Sequence, residues 1–374
     1  MVDEPESDGA LGRRALGWSD HFEHAWATLG RPEPVGRVTR LDRGWSSVLT
    51  SPDREALRVR NLGETVGVGD WVVVSGERVA HVLDRWSVLA RRASFQGARG
   101  QVQVVAANVD TVLLLHALSH PPNVRRLERE LVQVYESGAE PVVVLSKADL
   151  ADDPERAVAA VAGIALGVPV LAASARTGRG VEALRSFATG GRTVALLGAS
   201  GVGKSTLINA LVGADVQRTG AVRSGDQRGR HTTTAAELVP LPGGGHLLDT
   251  PGLRAVALWS EGHGLERAFA DVVALAERCR FRDCGHGDEP GCAVDAAVSA
   301  GILAPERRRS WQHLSGELAA LETELVEVER AERRTGRRRP RPEPMEGEDD
   351  GPDGADDDGP DDDGPDDQAD GSVK

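Results

Sequence analysis

The segment Gly198-Ala-Ser-Gly-Val-Gly-Lys204-Ser205-Thr206 constrains the fold of this chain more than any other part of its sequence. It follows an apolar strand pattern over residues 193–198 and opens a helical pattern over 205–211, which Gly213 ends. A glycine-rich turn at such a junction lets backbone N–H groups surround a phosphate at the N-terminus of the helix. The spacing G-x-x-x-x-G-K-[ST] in this setting predicts an α/β domain with a phosphate-binding loop.

Two side chains of this loop have predicted roles of their own. Lys204 would neutralise β- and γ-phosphate oxygens, and the Ser205 hydroxyl would bind Mg²⁺. The chain contains three lysines against 41 arginines. A lysine at position 204 in so arginine-rich a chain indicates that a compact point charge is needed there.

The segments around the loop predict a parallel sheet with helices on both faces. Continuous apolar runs typical of buried strands alternate with runs typical of helices. The predicted strands cover residues 109–115, 141–146, 169–173 and 193–198, and the predicted helices cover 124–137, 154–166 and 181–188. Residues 157–175 carry no charge, but their Ala and Gly content and Pro169 favour a helix and a short strand over a membrane span.

Two short loops at the ends of successive predicted strands indicate which base is bound. Ser146-Lys147-Ala148-Asp149 and Ser174-Ala175 look like the N/T-K-x-D and S-A loops that read guanine. The Asp149 carboxylate can accept the N1–H and N2–H donors of guanine, and adenine offers neither donor there. The Ala175 N–H can donate to guanine O6, and the stem of Lys147 can cover one face of the base. Ser146 stands where asparagine is usual, so we expect one hydrogen bond, near N7 or across to the phosphate loop, to be weaker.

Two later segments complete the predicted phosphate and Mg²⁺ site. Asp249 ends a strand pattern and can hold Mg²⁺ through water, while the Gly252 N–H can contact the γ-phosphate. Within Gly229-Arg-His-Thr-Thr-Thr234, Thr233 is our choice of Mg²⁺ ligand, with Thr232 and Thr234 as alternatives. The full predicted set for the nucleotide is Ser146, Lys147, Ala148, Asp149, Ser174, Ala175, Gly198, Ala199, Ser200, Gly201, Val202, Gly203, Lys204, Ser205, Thr206, Asp249 and Gly252.

The predicted catalytic residues are Lys204, Thr233 and His231. Leu253 occupies the position next to Gly252 where many nucleotide hydrolases have a glutamine that orients the attacking water. We therefore expect slow intrinsic hydrolysis, with another group positioning the water. His231 is the candidate, and its alternative is a histidine that contacts only protein.

A cluster of cysteine and histidine follows the phosphate-binding segments. Cys279-x₄-Cys284-x-His286-x₅-Cys292 supplies three thiolates and one imidazole, and it uses all three cysteines of the chain. Four ligands of this kind with no open position predict a structural tetrahedral Zn²⁺. A redox function is less favoured because the chain has no C-x-x-C pair.

The short alternating runs between residues 36 and 91 predict a small β-barrel. Gly67-Val-Gly-Asp-Trp-Val-Val-Val looks like the strand entry of an oligonucleotide-binding (OB) barrel, and an SH3-like barrel that only packs on its neighbour is the alternative. Aromatic residues make up only 3% of the chain, which limits base stacking.

The net charge of −14 comes from the C-terminal tail. Residues 343–374 hold 15 of the 58 acidic residues and one of the 44 basic residues, so the remainder is neutral. The Asp-, Gly- and Pro-rich tail has almost no apolar residues and is predicted to be disordered. The Arg-rich segment 333–341 before it either contacts RNA phosphates or is simply solvated, and the tail could mask it.

The order of the motifs is unusual, because the base-reading loops precede the phosphate loop and both switch segments. Such a circular permutation leaves the sheet geometry unchanged. A predicted barrel precedes this permuted domain and the Cys/His cluster follows it. On these features the chain closely resembles the ribosome small subunit-dependent GTPase A family over residues 12–335. Three stretches strengthen the resemblance: Ala107-Asn-Val-Asp-Thr-Val, Gly229-Arg-His-Thr-Thr-Thr and Cys279-Arg-Phe-Arg-Asp-Cys284.

The resemblance implies GTP hydrolysis as a switch in late maturation of the small (30S) ribosomal subunit, with 16S rRNA as partner. It also implies Zn²⁺ on the same four ligands. An ATP-using P-loop kinase and an RNA-binding scaffold with a structural nucleotide are the alternative functions. The acidic N-terminus has no apolar signal segment and the cysteine count is odd, so we expect a cytoplasmic protein. We also expect no membrane contact and a monomeric state.

The predicted division of the chain has five parts. They are an N-terminal extension (1–34), an OB-type barrel (35–95), an α/β P-loop domain with permuted motif order (96–258), a mostly helical zinc-binding domain (259–335) and the disordered tail (336–374).

Overall fold

The computed structural model describes residues 8–32, 34–42, 44–92, 102–213, 236–249 and 263–335. It begins with two helices, α1 (Asp8–Ala15) and α2 (Asp20–Thr28). Both helices lie within the predicted N-terminal extension, residues 1–34. Phe22 and Trp26 of α2 are buried, and Trp18 before it stacks edge-on against Trp71 with ring centroids 4.6 Å apart. These contacts fix the N-terminal helices on the barrel that follows.

The barrel consists of β1 (Val35–Asp42), β2 (Trp45–Leu49), β3 (Leu57–Arg60), β4 (Trp71–Ser75) and β5 (Arg78–Val82). The strands pair in the order β1-β2-β3-β5-β4, and β4 pairs again with β1, which closes the circuit. The β3–β5 pair is parallel and the others are antiparallel. This closed five-stranded barrel confirms the OB-type prediction over the SH3-like alternative. Its interior is mostly valine, including Val38, Val48 and Val72.

A separate two-stranded sheet, β6 (Val88–Arg92) and β7 (Val102–Ala107), follows the barrel. No local sequence pattern predicted this hairpin. The predicted boundary at residues 95 and 96 falls between its two paired strands, in a segment outside the described residues.

The α/β part that follows alternates strands and helices as predicted. Its elements are β8 (Thr111–Ala117), α3 (Val124–Glu136), β9 (Glu140–Ser146), α4 (Pro154–Ala162), β10 (Val170–Ala172), α5 (Val181–Arg185), β11 (Thr193–Gly198), α6 (Lys204–Val212), β12 (Glu237–Pro240) and β13 (His246–Asp249). Five strands in the order β10-β9-β8-β11-β13 are parallel, which confirms the sheet type. Helix α4 ends at Ala162 and is shorter than the predicted 154–166, because the chain leaves the helix at Gly163, a residue type that disfavours helix continuation.

Strand β12 joins the α/β sheet to the barrel. It is antiparallel to β13 and also pairs with β1 through Arg40 and Glu237, so one 11-stranded sheet runs through both parts. Buried Arg37 strengthens the junction, because its guanidinium donates to the Leu16 carbonyl at 2.5 Å and to Thr193 Oγ1 at 2.6 Å. Burial lowers the pKa of Arg37 to about 10, against the opposing effect of two nearby aspartates, and the side chain stays charged at neutral pH.

The C-terminal part is helical: α7 (Gly264–Ala268), α8 (Ala270–Ala276), α9 (Ala293–Ser299) and α10 (Pro305–Thr335). It packs on α3 of the α/β part, and Arg307 of α10 lies in that contact with Glu128 of α3 and Asp271 of α8 as partners. All four helices lie within the region 259–335 that was predicted to be mostly helical. Among the described helices, none combines the length and the apolar character needed to cross a membrane.

Candidate nucleotide-binding site and metal centre

The carboxyl edge of the parallel sheet gathers four of the predicted motifs. The loops after β9 and β10 carry Ser146–Asp149 and Ser174–Ala175, the phosphate loop follows β11, and Asp249 ends β13. Because these strands are parallel members of one sheet, with β8 between β9 and β11, their carboxyl ends meet at the same edge. The sheet therefore brings together residues that lie as much as 103 positions apart, from Ser146 to Asp249.

The phosphate loop is built on glycines that no other residue could replace without strain. A Cβ at Gly198 would lie 2.8 Å from the Leu115 carbonyl oxygen, so β11 can approach β8 only with glycine there. Gly201 and Gly203 have φ values of +80° and +96°, and α6 begins immediately after Gly203. Lys204 Nζ donates to the carbonyls of Gly198 and Ala199, at 2.5 and 3.0 Å. The amine thus lies over the loop whose phosphate it is predicted to neutralise.

Ser146 ties the loop after β9 to the phosphate loop. Its buried hydroxyl donates to the Val202 carbonyl at 2.7 Å, and the His116 carbonyl oxygen lies 3.4 Å from the same hydroxyl. The connection across to the phosphate loop is therefore present with serine in the usual asparagine position. Lys147 adopts a left-handed backbone with φ +57°, and its Cε lies 3.9 Å from where a Cβ of Gly203 would be. The Lys147 stem consequently runs beside the phosphate loop.

Asp149 is held by two partners from the loop after β10. Ser174 Oγ donates to Asp149 Oδ1 at 2.5 Å, and Arg176 Nε lies 2.9 Å from Asp149 Oδ2. The Ser174 hydrogen bond is the main cause that holds the pKa of Asp149 below its usual value, and the Arg176 charge acts in the same direction. The Ala148 N–H also donates to the Ala173 carbonyl at 3.1 Å, so the two loops are joined through their backbones. Asp149 is thereby kept ionised.

Several predicted residues lie outside the described part of the chain. These are His231, Thr233 with its alternatives Thr232 and Thr234, Gly252 and Leu253, so their roles stay predictions. The Arg-rich segment after residue 335 and the acidic tail also lie outside it. Conversely, Arg176 lies at the site but was not among the predicted residues. Its position next to the Ser174-Ala175 pair was the signal that could have found it.

The four residues of the Cys/His cluster converge in the C-terminal helical part. Their ligand atoms all lie within 4.8 Å of one another. His286 presents Nδ1 to the thiols, at 3.6 Å from Cys279 Sγ and 3.9 Å from Cys292 Sγ. All three cysteines are free, with Cys284 as the fourth member of the group. Three thiols and one imidazole nitrogen pointing at a common centre fit a tetrahedrally coordinated metal ion, so the cluster can hold one.

The surroundings of the cluster orient these ligands. The N–H of Ala293 donates to Cys279 Sγ at 3.4 Å. Burial raises the pKa of Cys279, but hydrogen bonds with the Ala293 and Val294 backbones and with the other two thiols together outweigh it, so the pKa lies below the ordinary thiol value. The buried His286 ring packs on Trp311 of α10, with centroids 4.7 Å apart. The cluster and the long helix are therefore one structural unit.

A P-loop at the carboxyl edge of the sheet, base-reading loops on the preceding strands and an OB-type barrel define a circularly permuted GTPase. A family model described as RsgA GTPase matches residues 82–259. The chain is 41% identical over 313 residues to the small ribosomal subunit biogenesis GTPase RsgA of Methanosarcina acetivorans, covering 81% of this chain and 84% of that protein. It is 42% identical over 316 residues to the Streptomyces coelicolor RsgA, covering 81% and 86%. The chain belongs to the RsgA GTPase family.

Two solved structures have the same fold. The crystal structure of YjeQ from Thermotoga maritima superposes with a TM-score of 0.57 at 28% identity, over 76% of this chain and 98% of that one. YloQ, described as a circularly permuted GTPase, gives a TM-score of 0.56 at 24% identity, over 77% of this chain and 95% of that one. Both therefore share the fold of this chain over about three quarters of its length.

Proposed function

We propose that this protein hydrolyses GTP to GDP and phosphate as a switch in late maturation of the small ribosomal subunit. The observation that carries the proposal is the position of Asp149, an ionised carboxylate one loop away from the phosphate loop and tied to it through the Ser146–Val202 hydrogen bond. The RsgA relatives are named small ribosomal subunit biogenesis GTPases, which supports the ribosomal step.

The nucleotide would lie along the carboxyl edge of the sheet. Asp149 would accept the two guanine N–H donors, the Ala175 N–H would donate to O6, and the Lys147 stem would cover the base. The loop from Gly198 to Thr206 would surround the phosphates, with Lys204 moving from its own carbonyl partners to the β- and γ-oxygens. The fixed distance between the two loops would then select a guanine nucleotide by base and phosphate together.

A Mg²⁺ ion would accompany the triphosphate, held by the hydroxyl of Ser205, by Asp249 through water and by Thr233. When bound, it would neutralise charge that develops on the phosphate oxygens. Leu253 offers no hydrogen bond to a water molecule, so slow hydrolysis is expected without a partner. His231 is proposed to orient the attacking water. A His231→Ala variant with unchanged partner-stimulated turnover would remove it from this role.

Zinc is the metal we propose for the cluster of Cys279, Cys284, His286 and Cys292. Three thiolates and an imidazole at mutual distances within 4.8 Å suit its preference for soft and borderline ligands in a tetrahedral site. No further ligand position is needed, which favours a structural role. The ion would hold the loop between α8 and α9, which otherwise has little regular structure, against α10.

Two exposed sites suit contact with 16S rRNA. On the barrel, the guanidinium carbons of Arg58 and Arg60 lie 5.0 and 4.8 Å from the ring centre of Trp45. In the metal-binding loop, Phe281 is 45% exposed and has arginines on both sides of it in the sequence. Among the described residues, none of these arginines forms an ion pair, so they are available to phosphates. An aromatic ring beside unpaired arginines is typical of a base-stacking site.

Further proposals concern the whole chain. We propose that it acts in the cytoplasm as a monomer, in the five parts given by the sequence, with the acidic tail masking the Arg-rich segment until RNA competes. Deleting residues 343–374 should raise RNA affinity at low salt, and unchanged affinity would contradict the masking role.

We also propose that the nucleotide state reaches the metal-binding part through residues 253–261. Equal affinity for the small subunit with GDP and with a GTP analogue would contradict this coupling.

The decisive experiment measures GTP and ATP turnover with and without purified small ribosomal subunits. The proposal predicts slow GTP turnover alone, a large stimulation by the subunits and no comparable ATP turnover. Preference for ATP would indicate a P-loop kinase or another ATP-using enzyme. RNA binding with no stimulated turnover would indicate an RNA-binding scaffold with a structural nucleotide.

A further inference from the structure

Arg176 forms an ion pair with Asp149, the residue whose carboxylate is proposed to read the base. Its Nε lies 2.9 Å from Asp149 Oδ2, while Ser174 already donates to Oδ1. The Arg176 side chain is 74% exposed and that of Asp149 only 11%, so the arginine reaches in from solvent to cover the acid. Both carboxylate oxygens of Asp149 therefore have a donor from the protein itself.

The chemistry of the contact resembles that of a guanine base. The N1–C2–N2 edge of guanine is a guanidine group whose N–H donors point in one plane, and an arginine side chain ends in the same group with a positive charge. Each presents N–H donors that a carboxylate accepts with favourable geometry. Adenine has no such edge, because it carries no donor at N1 and no amine at C2.

We infer that Arg176 is an internal stand-in for guanine: its guanidinium pairs with Asp149 until a guanine base binds to the same carboxylate and displaces it. The inference rests on the proposed function and deepens it, because it adds a residue that sets the affinity for the base. Guanine binding must break the Arg176–Asp149 pair, whereas a base that does not use Asp149 need not break it. Arg176 thus lowers affinity for guanine nucleotides only.

The size of the effect follows from the exposure of the pair. Ion pairs that involve an exposed arginine are weak and screened by salt, and removing the competitor is expected to tighten guanine nucleotide binding by about two- to five-fold at low salt. The gain should shrink as the ionic strength rises, because screening already weakens the pair in the native protein. A purely structural role of Arg176 in shaping the loop would instead weaken binding when it is lost.

The test compares Arg176→Ala with Arg179→Ala by calorimetric titration of the full chain with GDP and with ADP. Arg179 is the matched control, because it is an exposed arginine of the same loop that pairs with Glu155 and not with Asp149. Arg176→Ala is expected to bind GDP about two- to five-fold more tightly at low salt and to bind ADP as the native chain does. Arg179→Ala should leave both affinities unchanged. In an Asp149→Ala background, Arg176→Ala should change nothing.

The outcomes separate this inference from the proposed function. If the native chain binds GDP more tightly than ADP but Arg176→Ala binds GDP equally or more weakly, the stand-in role is wrong and the proposed function is untouched. A gain for GDP and ADP by the same factor also overturns the role, because it would reflect charge alone. If the native chain shows no preference for GDP over ADP, the proposed function itself fails.

Discussion

Arg307 joins α10 to three other helices, and replacing it measures how firmly the C-terminal helical part is held on the α/β domain. Nη1 donates to Glu128 Oε1 of α3 at 2.9 Å, and Nη2 donates to the Ala268 carbonyl at 2.7 Å. Nε and Nη2 together form a two-point contact with the Asp271 carboxylate, at 3.1 and 2.9 Å. The guanidinium also stacks over the Phe269 ring, 4.1 Å from its centre. Burial lowers the pKa of Arg307, but hydrogen bonds with both acids outweigh this effect, and the pKa is raised overall.

The loss of stability expected for Arg307→Met follows from the buried Glu128 carboxylate that the substitution leaves without a cation. The side chains of Arg307 and Glu128 are only 9% and 2% exposed, so methionine fills the space but leaves the Glu128 charge buried without a cation. Breaking a buried ion pair by removing one partner costs about 3–5 kcal/mol, because the remaining charge is uncompensated. The free energy of unfolding should fall by that amount, measured by urea denaturation followed by circular dichroism with metal present.

Two further variants make this measurement specific. Arg309→Met removes an exposed arginine of the same helix that pairs with Glu306 one turn away, and it should cost less than about 1 kcal/mol. Adding Glu128→Gln to Arg307→Met removes the buried charge and should restore part of the lost stability. The buried charge would not explain the loss if Arg307→Met lowered the free energy of unfolding no more than Arg309→Met does. Simple additivity, in which Glu128→Gln lowers the stability of Arg307→Met as much as it lowers that of the native chain, would also refute the explanation.

Three other results follow from the described residues. Burial lowers the pKa of His246 to about 4, so the folded chain holds this side chain neutral. The free energy of unfolding should therefore fall as the pH falls from about 6.5 towards 4, because the unfolded chain takes up the proton first. His246→Gln should flatten that part of the pH profile. The lowered pKa of Asp149 predicts that the preference for GDP over ADP stays constant between about pH 8 and pH 5, because the carboxylate remains ionised while the phosphates of both nucleotides titrate alike. Loss of that preference with a midpoint near neutrality would contradict it. Elemental analysis is expected to find one metal ion per native chain, and Cys284→Ser should lose that ion and unfold at a lower temperature. Retention of a full equivalent by the variant would contradict the four-ligand site.

The sequence allowed the α/β part to be predicted because its signals are local. Each buried strand is a continuous apolar run, and each motif follows such a run, so the motifs had to meet at one edge once the strands were parallel. The metal cluster could be predicted for the same reason, since Cys279 and Cys292 are only 13 positions apart. The circular permutation was visible in the order of the motifs alone.

What the sequence did not reveal depends on long-range pairing. The β1–β12 contact joins Arg40 to Glu237, and no local pattern in either strand specifies the other as its neighbour. The β6–β7 hairpin was missed because its two strands are separated by more residues than a tight turn needs. Arg37 reads as one more arginine in an arginine-rich chain, although four hydrogen bonds hold it in the junction of barrel and sheet. The role of Ser146 also depended on where the Val202 carbonyl lies.

The most direct test of the account is the base preference of the native chain and of Asp149→Asn, measured by calorimetry with GDP, ADP and xanthosine diphosphate. Xanthine carries an oxygen at C2 in place of the amine, so an asparagine amide can donate to it while its carbonyl accepts the N1–H. We expect the native chain to bind GDP at least about 10²-fold more tightly than ADP, and Asp149→Asn to lose GDP affinity and prefer xanthosine diphosphate. Equal binding of GDP and ADP by the native chain, or an unchanged preference for GDP in Asp149→Asn, would contradict it.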